Sequence, residues 1–169
     1  MKRLKTTEVK LIGSFFLVCG IWGFVIFLGK IFPIDNLINV LNIFPTILFG
    51  LTFYSGYLLL LKENEKGLEI GRAIIAIQIL NFNIAGLEYL FITGVYIFCG
   101  FTNLNFALKF GFENTFWIGI YDGPTDFVLK INILALAIFL YLSRTIKKID
   151  EETTIQEELD LQTNLPKGY

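Results

Sequence analysis

The amino-acid sequence predicts an all-α integral membrane protein, a four-transmembrane-helix bundle with a short extracytoplasmic β-hairpin-like segment between helices 3 and 4. Three observations support this fold class. The chain of 169 residues is 54% hydrophobic, with a mean hydropathy of +0.64. Its apolar residues are gathered into four long blocks, whereas soluble domains break about 45–50% apolar residues into shorter runs. One stretch between the last two blocks alternates apolar and polar residues.

Each apolar block is long enough to cross a bilayer. An α-helix rises about 1.5 Å per residue, so about 20 residues cross a hydrocarbon core of about 30 Å. The predicted spans are approximately residues 11–32, 40–61, 73–98 and 127–146. With their loops they make one transmembrane domain, residues 1–149, which leaves no room for a separate soluble catalytic domain.

The first span follows a short basic segment, as a signal peptide would. Its apolar run is longer than the 7–15 residues typical of a signal peptide, and no small-residue cleavage site follows it. The sequence therefore predicts a retained helix. Glycines recur along this helix and predict the close approach of a neighbouring helix, which would also allow dimerisation; they are Gly13, Gly20, Gly23 and Gly29.

The second and third spans are separated by a charged connector, residues 62–72. The third span carries Gln78, Asn81 and Glu88 among its apolar residues. At about 100° per residue, these three side chains fall within about a quarter of the circumference of a helix. Polar groups are costly in contact with lipid, so this face is expected to point into the bundle.

The extracytoplasmic segment, residues 102–126, has a period of two rather than 3.6. Five large apolar residues alternate there with polar or small ones, which predicts a half-buried strand; they are Leu104, Phe106, Leu108, Phe110 and Phe112. Asn114 and Thr115 are predicted to form a turn, and residues 116–121 are predicted to return as a second strand.

The fourth span begins with Lys130 near its outer end and is followed by an acidic tail, residues 150–169, which we expect to be a loosely ordered cytoplasmic end. The distribution of basic residues predicts the topology. Eleven of the 14 basic residues lie on the side of the two termini and the 62–72 connector: Lys2, Arg3, Lys5, Lys10, Lys62, Lys66, Arg72, Arg144, Lys147, Lys148 and Lys167. The positive-inside rule therefore places both termini in the cytoplasm. The expected location is the inner (plasma) membrane of a bacterium.

Glu88 and Lys130 are the most informative pair, because they carry opposite charges within apolar runs and both fall in the outer half of the predicted bundle. An isolated charge at the bilayer centre costs about 2.5–3.5 kcal/mol on insertion scales, and pairing would reduce that cost. Three interpretations stay open. The residues form a structural pair; or Glu88 titrates in a proton or ion site from which Gln78 and Asn81 continue a polar path inward; or Glu88, Lys130, Gln78 and Asn81 line a binding pocket for a lipid or a small ligand.

Several other classes of function are disfavoured by composition. The chain has no histidine and two cysteines without metal-binding spacing, so no metal and no cofactor is expected. A Cys19–Cys99 disulfide is not expected, because the two residues fall at different predicted depths. An enzyme is the weakest hypothesis; it would rest on three extracytoplasmic carboxylates that could face one another as a weak cluster for a divalent cation, Asp35, Asp122 and Asp126. The net charge of −1 predicts no nucleic-acid partner.

The function predicted from the sequence is therefore an accessory, structural or interaction role in a multi-pass membrane protein. The aromatic hairpin would be presented to a partner or to the membrane surface. The expected partners are the lipid bilayer and a second copy of the chain or another membrane protein. The alternative is a small proton- or ion-coupled transporter, or a ligand-binding membrane protein, that uses Glu88 with Lys130, Gln78 and Asn81.

Overall fold

The protein combines helices with a four-stranded antiparallel sheet, so the predicted all-α four-helix bundle is wrong. The computed structural model describes residues 7–31, 42–62, 65–122 and 126–163. In chain order the elements are α1 (Thr7–Ile31), α2 (Ile43–Tyr57), a π-helical turn (Leu58–Lys62), α3 (Glu65–Ile77), β1 (Leu80–Ile84), β2 (Leu87–Thr102), β3 (Asn105–Ile120), β4 (Val128–Asn132) and α4 (Ile133–Thr163).

The third predicted span, residues 73–98, is where the prediction fails most clearly. Helix α3 ends at Ile77, and the chain then forms β1 and most of β2. This stretch is rich in isoleucine, phenylalanine and tyrosine, which suit a pleated surface. Ala85 (φ 52°) and Gly86 (φ 85°) form the two-residue turn between the strands, a left-handed geometry that a continuous helix does not contain.

The fourth predicted span, residues 127–146, also begins as a strand. β4 ends at Asn132, and α4 begins at the next residue. The Asn132 side-chain Oδ1 accepts a hydrogen bond from the Ala135 N–H at 3.3 Å, which caps the first turn of α4. α4 then continues as helix to Thr163, through most of the predicted acidic tail, and the last residues, 164–169, lie outside the described residues.

The predicted strand at residues 104–112 is present, but it pairs with the strand before it and not with residues 116–121. The alternating residues belong to β3, which continues through Asn114 and Thr115 rather than turning there. Its partner is β2, and the connecting turn is Asn103–Leu104, with φ values of 49° and 65°. Asn114 is held in the ladder because its Oδ1 accepts a hydrogen bond from the Gly94 N–H at 3.0 Å.

The sheet is strongly curled. β1 pairs with the beginning of β2 and with β4, while β4 pairs with the end of β2. All of these pairings are antiparallel, so the two ends of β2 run in different directions and the β2–β3 ribbon must bend between them. Gly94 lies in the middle of β2, between the part that pairs with β1 and the part that pairs with β4. Its φ of 80° is a value that only glycine adopts without strain. The buried residues Ile92, Tyr96 and Phe98 cluster on the inner face of this curl.

The sheet and helices share a core. One cluster joins α1, the π-helical turn, α3 and α4 through buried residues that include Val9, Phe16 and Leu142. A second cluster joins α1, α2 and α3 to the sheet, with Phe49 and Phe91 at its centre. Leu142 of α4 thus lies in the same cluster as Val9, near the beginning of α1.

Two helices in the described part of the chain are long and apolar enough to cross a membrane, against the four that the sequence predicts. They cover Thr7–Lys30 and Ile43–Leu61. Core helices of soluble proteins and signal sequences meet the same criterion of length and composition. In α1, however, only 33% of the most apolar window is buried, and Val18, Trp22 and Val25 are 58–63% exposed.

Candidate functional site

Gln78 lies at the junction between α3 and β1, where it is 2% exposed. Its Nε2 donates a hydrogen bond to the Thr93 Oγ1 at 2.9 Å, and its Oε1 accepts one from the Thr93 N–H at 3.1 Å. Thr93 lies in the part of β2 that neither β1 nor β4 reaches. The Gln78 side chain thus supplies the hydrogen-bond acceptor that a neighbouring strand would otherwise provide to the Thr93 N–H.

Asn132, at the junction between β4 and α4, likewise accepts backbone hydrogen bonds with its side chain. Besides capping α4, its Oδ1 accepts a hydrogen bond from the Ile97 N–H at 3.2 Å, and its own N–H donates to the Ile79 carbonyl at 2.7 Å. Backbone N–H groups shielded from water require hydrogen-bond partners. The side-chain amides of Gln78 and Asn132 are the acceptors for two such groups of β2, those of Thr93 and Ile97. The role of Asn132 could not be predicted from the sequence, because a single amide at a junction has no spacing pattern that would reveal it.

We predict that Gln78→Leu lowers the free energy of unfolding by about 1–3 kcal/mol, because it leaves the buried Thr93 N–H without an acceptor. Reversible unfolding followed by circular dichroism measures this loss. The matched control is Gln156→Leu, which removes an exposed glutamine side chain from α4 and should change stability by less than about 0.5 kcal/mol. Equal effects of the two changes would show that the Gln78 contacts do not support the sheet.

Glu88, Lys130 and Asn81 are brought onto one face of the sheet. Asn81 of β1 lies opposite Lys130 of β4, and its neighbour Asn83 lies opposite Glu88 of β2. Residues directly opposite each other in a ladder share a face. All four side chains are half-buried. Among the described side chains no ion pair joins Glu88 to Lys130, because β1 lies between them.

This polar face offers a carboxylate, an ammonium group and two amides. The Asn83 Oδ1 is buried without a hydrogen-bond partner in the described part of the chain. Gln78 is not part of the set, because its amide is occupied by Thr93. A binding role for Glu88, Lys130 and Asn81 stays a prediction. No group of three His, Cys, Asp or Glu residues is placed to hold a metal ion within residues 7–31, 42–62, 65–122 and 126–163.

Tyr89 of β2 contacts the end of α3 and so links the sheet to this helix. Its hydroxyl donates a hydrogen bond to the Ile77 carbonyl at 2.8 Å, and its ring stacks on Phe82 with centroids 5.5 Å apart. Burial raises the pKa of this hydroxyl to about 12, so the side chain stays a neutral donor at physiological pH.

The other face of the sheet is apolar and largely uncovered. The ladders align side chains in rows across all four strands, such as Leu80–Ile131–Cys99–Leu108. The row Phe82–Leu129–Phe101–Phe106 lies beside it. Ten large apolar side chains in and beside these rows, each at least 36% exposed, are together called the apolar sheet face: Leu80, Val95, Ile97, Phe101, Phe106, Leu108, Phe110, Phe112, Leu129 and Ile131.

The apolar sheet face continues toward the helices. Phe91 and Phe116 lie on the same side of the ribbon, nearer its base, and are 5.9 Å apart between ring centroids. Phe116 contacts Phe44 of α2 at 5.4 Å, and Phe91 contacts Phe49 at 5.5 Å. The same side of the ribbon thus packs on α2 at Phe91 and Phe116 and is exposed toward the turn at Asn103–Leu104.

Comparison with protein-family models, with curated proteins and with solved structures finds no match to this chain.

Proposed function

We propose that this chain is a membrane-integrated accessory protein that acts through its sheet. In this proposal α1 and α2 cross the bilayer and anchor the protein, with the basic N-terminal segment in the cytoplasm. The apolar sheet face is in contact with lipid and is the surface offered to other membrane proteins. No reaction is assigned to the chain.

The exposed apolar sheet face is the observation that carries this proposal. Ten large apolar side chains form it, and no charged residue interrupts the rows. Soluble monomers rarely expose contiguous apolar patches beyond a few hundred Å². The charged residues of β3, Lys109 and Glu113, lie on the opposite face of the strand.

The position of the sheet beside α1 supports contact with lipid. A Cβ placed on Gly94 would lie 2.6 Å from the Phe15 ring and would meet the Cys19 sulfur. Phe91, three residues earlier, packs in the cluster that contains Phe27. The base of the β2–β3 ribbon therefore lies alongside the middle and the distal half of α1. If α1 spans the bilayer, the base of the ribbon is at the depth of the acyl chains, and the apolar sheet face continues from it along the same two strands.

We predict that a nitroxide attached at position 110 contacts lipid, whereas one at position 109 contacts water. The variants are Phe110→Cys and Lys109→Cys in full-length protein that also carries Cys19→Ala and Cys99→Ala, reconstituted in phosphatidylcholine–phosphatidylglycerol vesicles. Collision with oxygen reports lipid exposure, and collision with a water-soluble nickel complex reports aqueous exposure. The chain is expected to stay in the vesicles after an alkaline carbonate wash.

The two labels are matched because they occupy neighbouring residues on opposite faces of one exposed strand. Strong collision of both labels with the nickel complex would contradict lipid contact. Release of the chain by carbonate would contradict membrane integration. A label at position 110 that reaches neither reagent would indicate that another protein covers the apolar sheet face.

A further inference from the structure

We infer that two copies of this chain pair through the free edges of β3, antiparallel to each other and related by a two-fold axis that passes Gly111. The partner is a second copy of the chain. The paired segment extends from Lys109 to Glu113 in each copy, and the two segments form one continuous ladder between the two sheets.

The edge of β3 has no strand partner among the described residues. β3 is the last strand in the order β1-β4-β2-β3 and pairs with β2 alone. The segment from Lys109 to Glu113 is uncovered within one copy, since Phe110 is 79% exposed and Phe112 is 63% exposed. A long, apolar, unpaired edge is a template for another strand. At bilayer depth, which rests on the proposed function, unpaired backbone groups are costly enough to require one.

The turn of the hairpin determines which backbone groups point outward. Thr102 and Asn105 flank a two-residue turn, so they exchange both backbone hydrogen bonds with each other. Counting along β3, the odd-numbered residues direct their N–H and C=O groups toward β2. The even-numbered residues, Phe110 and Phe112 among them, direct theirs to the free edge. A second strand must therefore bond to the even-numbered residues.

The two charges on β3 select one register. With Gly111 opposite Gly111 of the second copy, Phe110 and Phe112 form the hydrogen-bonded pairs, as the outward backbone groups require. Lys109 then lies directly opposite Glu113 of the second copy, and Glu113 lies opposite Lys109. Both are pairs without backbone hydrogen bonds, in which the side chains approach most closely and opposite charges are favourable.

Neighbouring registers lose this complementarity. Centring the axis on Phe110 places Lys109 opposite Gly111, and centring it on Lys109 places two lysines opposite each other. Like charges directly opposite are unfavourable. Neither charge has a competing ion-pair partner among the described side chains; the Lys109 ammonium lies 5.7 Å from the centre of the Tyr96 ring.

Charge reversal tests the register in the full-length protein. Wild-type chains in nanodiscs or detergent are expected to be dimers by light scattering. Lys109→Glu alone and Glu113→Lys alone should each raise the dimer dissociation constant about tenfold or more, because each places like charges opposite each other twice. The double variant Lys109→Glu/Glu113→Lys should dimerise like the wild type. A mixture of the two single variants should also dimerise, since each reversed chain complements the other.

Disulfide formation tests the same geometry independently. In the Cys19→Ala/Cys99→Ala background, a chain with Lys109→Cys and a chain with Glu113→Cys should cross-link when mixed and gently oxidised. Neither should cross-link efficiently alone, because equivalent positions are separated by four residues along the ladder. A monomeric wild type, single reversals without effect, or cross-linking of Lys109→Cys alone would each overturn the proposed pairing. These readouts differ from the lipid contact of position 110, so either proposal can fail without the other.

Discussion

Phe91→Ala is expected to lower the free energy of unfolding by about 3–5 kcal/mol, the range for truncating a fully buried phenylalanine. Phe91 is 0% exposed and lies between Phe49 of α2 and Phe116 of β3. Its ring is thus one of the contacts through which the sheet packs on the long apolar helices. The truncation leaves a cavity that neither a strand held in its ladder nor a packed helix can close. Reversible unfolding in mixed micelles, followed by far-ultraviolet circular dichroism, measures the loss.

Phe106→Ala is the matched control for this prediction. Phe106 lies on the same side of the β2–β3 ribbon as Phe91, but it is 67% exposed and lies outside the proposed paired segment. Its truncation should change the free energy of unfolding by less than about 0.5 kcal/mol. If both truncations cost the same, Phe91 does not join the sheet to the helices.

The strand β3 could be predicted from the sequence, whereas its partner β2 could not. Residues 104–112 alternate because one side of β3 is apolar and the other is polar or small. β2 is apolar on both sides: Ile92, Tyr96 and Phe98 fill the inside of the curl, while Val95, Ile97 and Phe101 lie on the apolar sheet face. A strand with two apolar sides reads as a continuous apolar run, which periodicity cannot separate from a membrane-spanning helix.

The arrangement of the polar residues in the third apolar block also could not be predicted from periodicity in the sequence. Asn81 and Glu88 were grouped by their angular spacing on a helix, yet they share a face for another reason, the register of β1 against β2 and β4. Gln78, from the same group, points elsewhere and binds Thr93. Which amide supplies a missing backbone partner depends on where the paired strands end. That information lies in the tertiary structure and not in local spacing.

Gly20→Leu is the other change with a large expected effect, a loss of about 3 kcal/mol at the upper end of the range for overpacking. A Cβ at Gly20 would lie 2.6 Å from the Phe53 Cα and 2.9 Å from its Cβ. Backbone atoms cannot rotate away as a side chain can, so α1 and α2 would have to separate. The glycines of α1 were expected to allow the close approach of another helix, and at Gly20 that helix is α2 of the same chain.

The control for Gly20→Leu is Gly29→Leu, in the same helix. Nothing lies within 4 Å of a Cβ at Gly29. Both changes gain helix propensity of about 1 kcal/mol, so this contribution cancels in the comparison. The difference between the two unfolding free energies then isolates the contact between α1 and α2. Equal stabilities would mean that the helices are not packed through Gly20. A selective loss at Gly20 would instead establish that the two long apolar helices form a close pair, on which the sheet rests through Phe91.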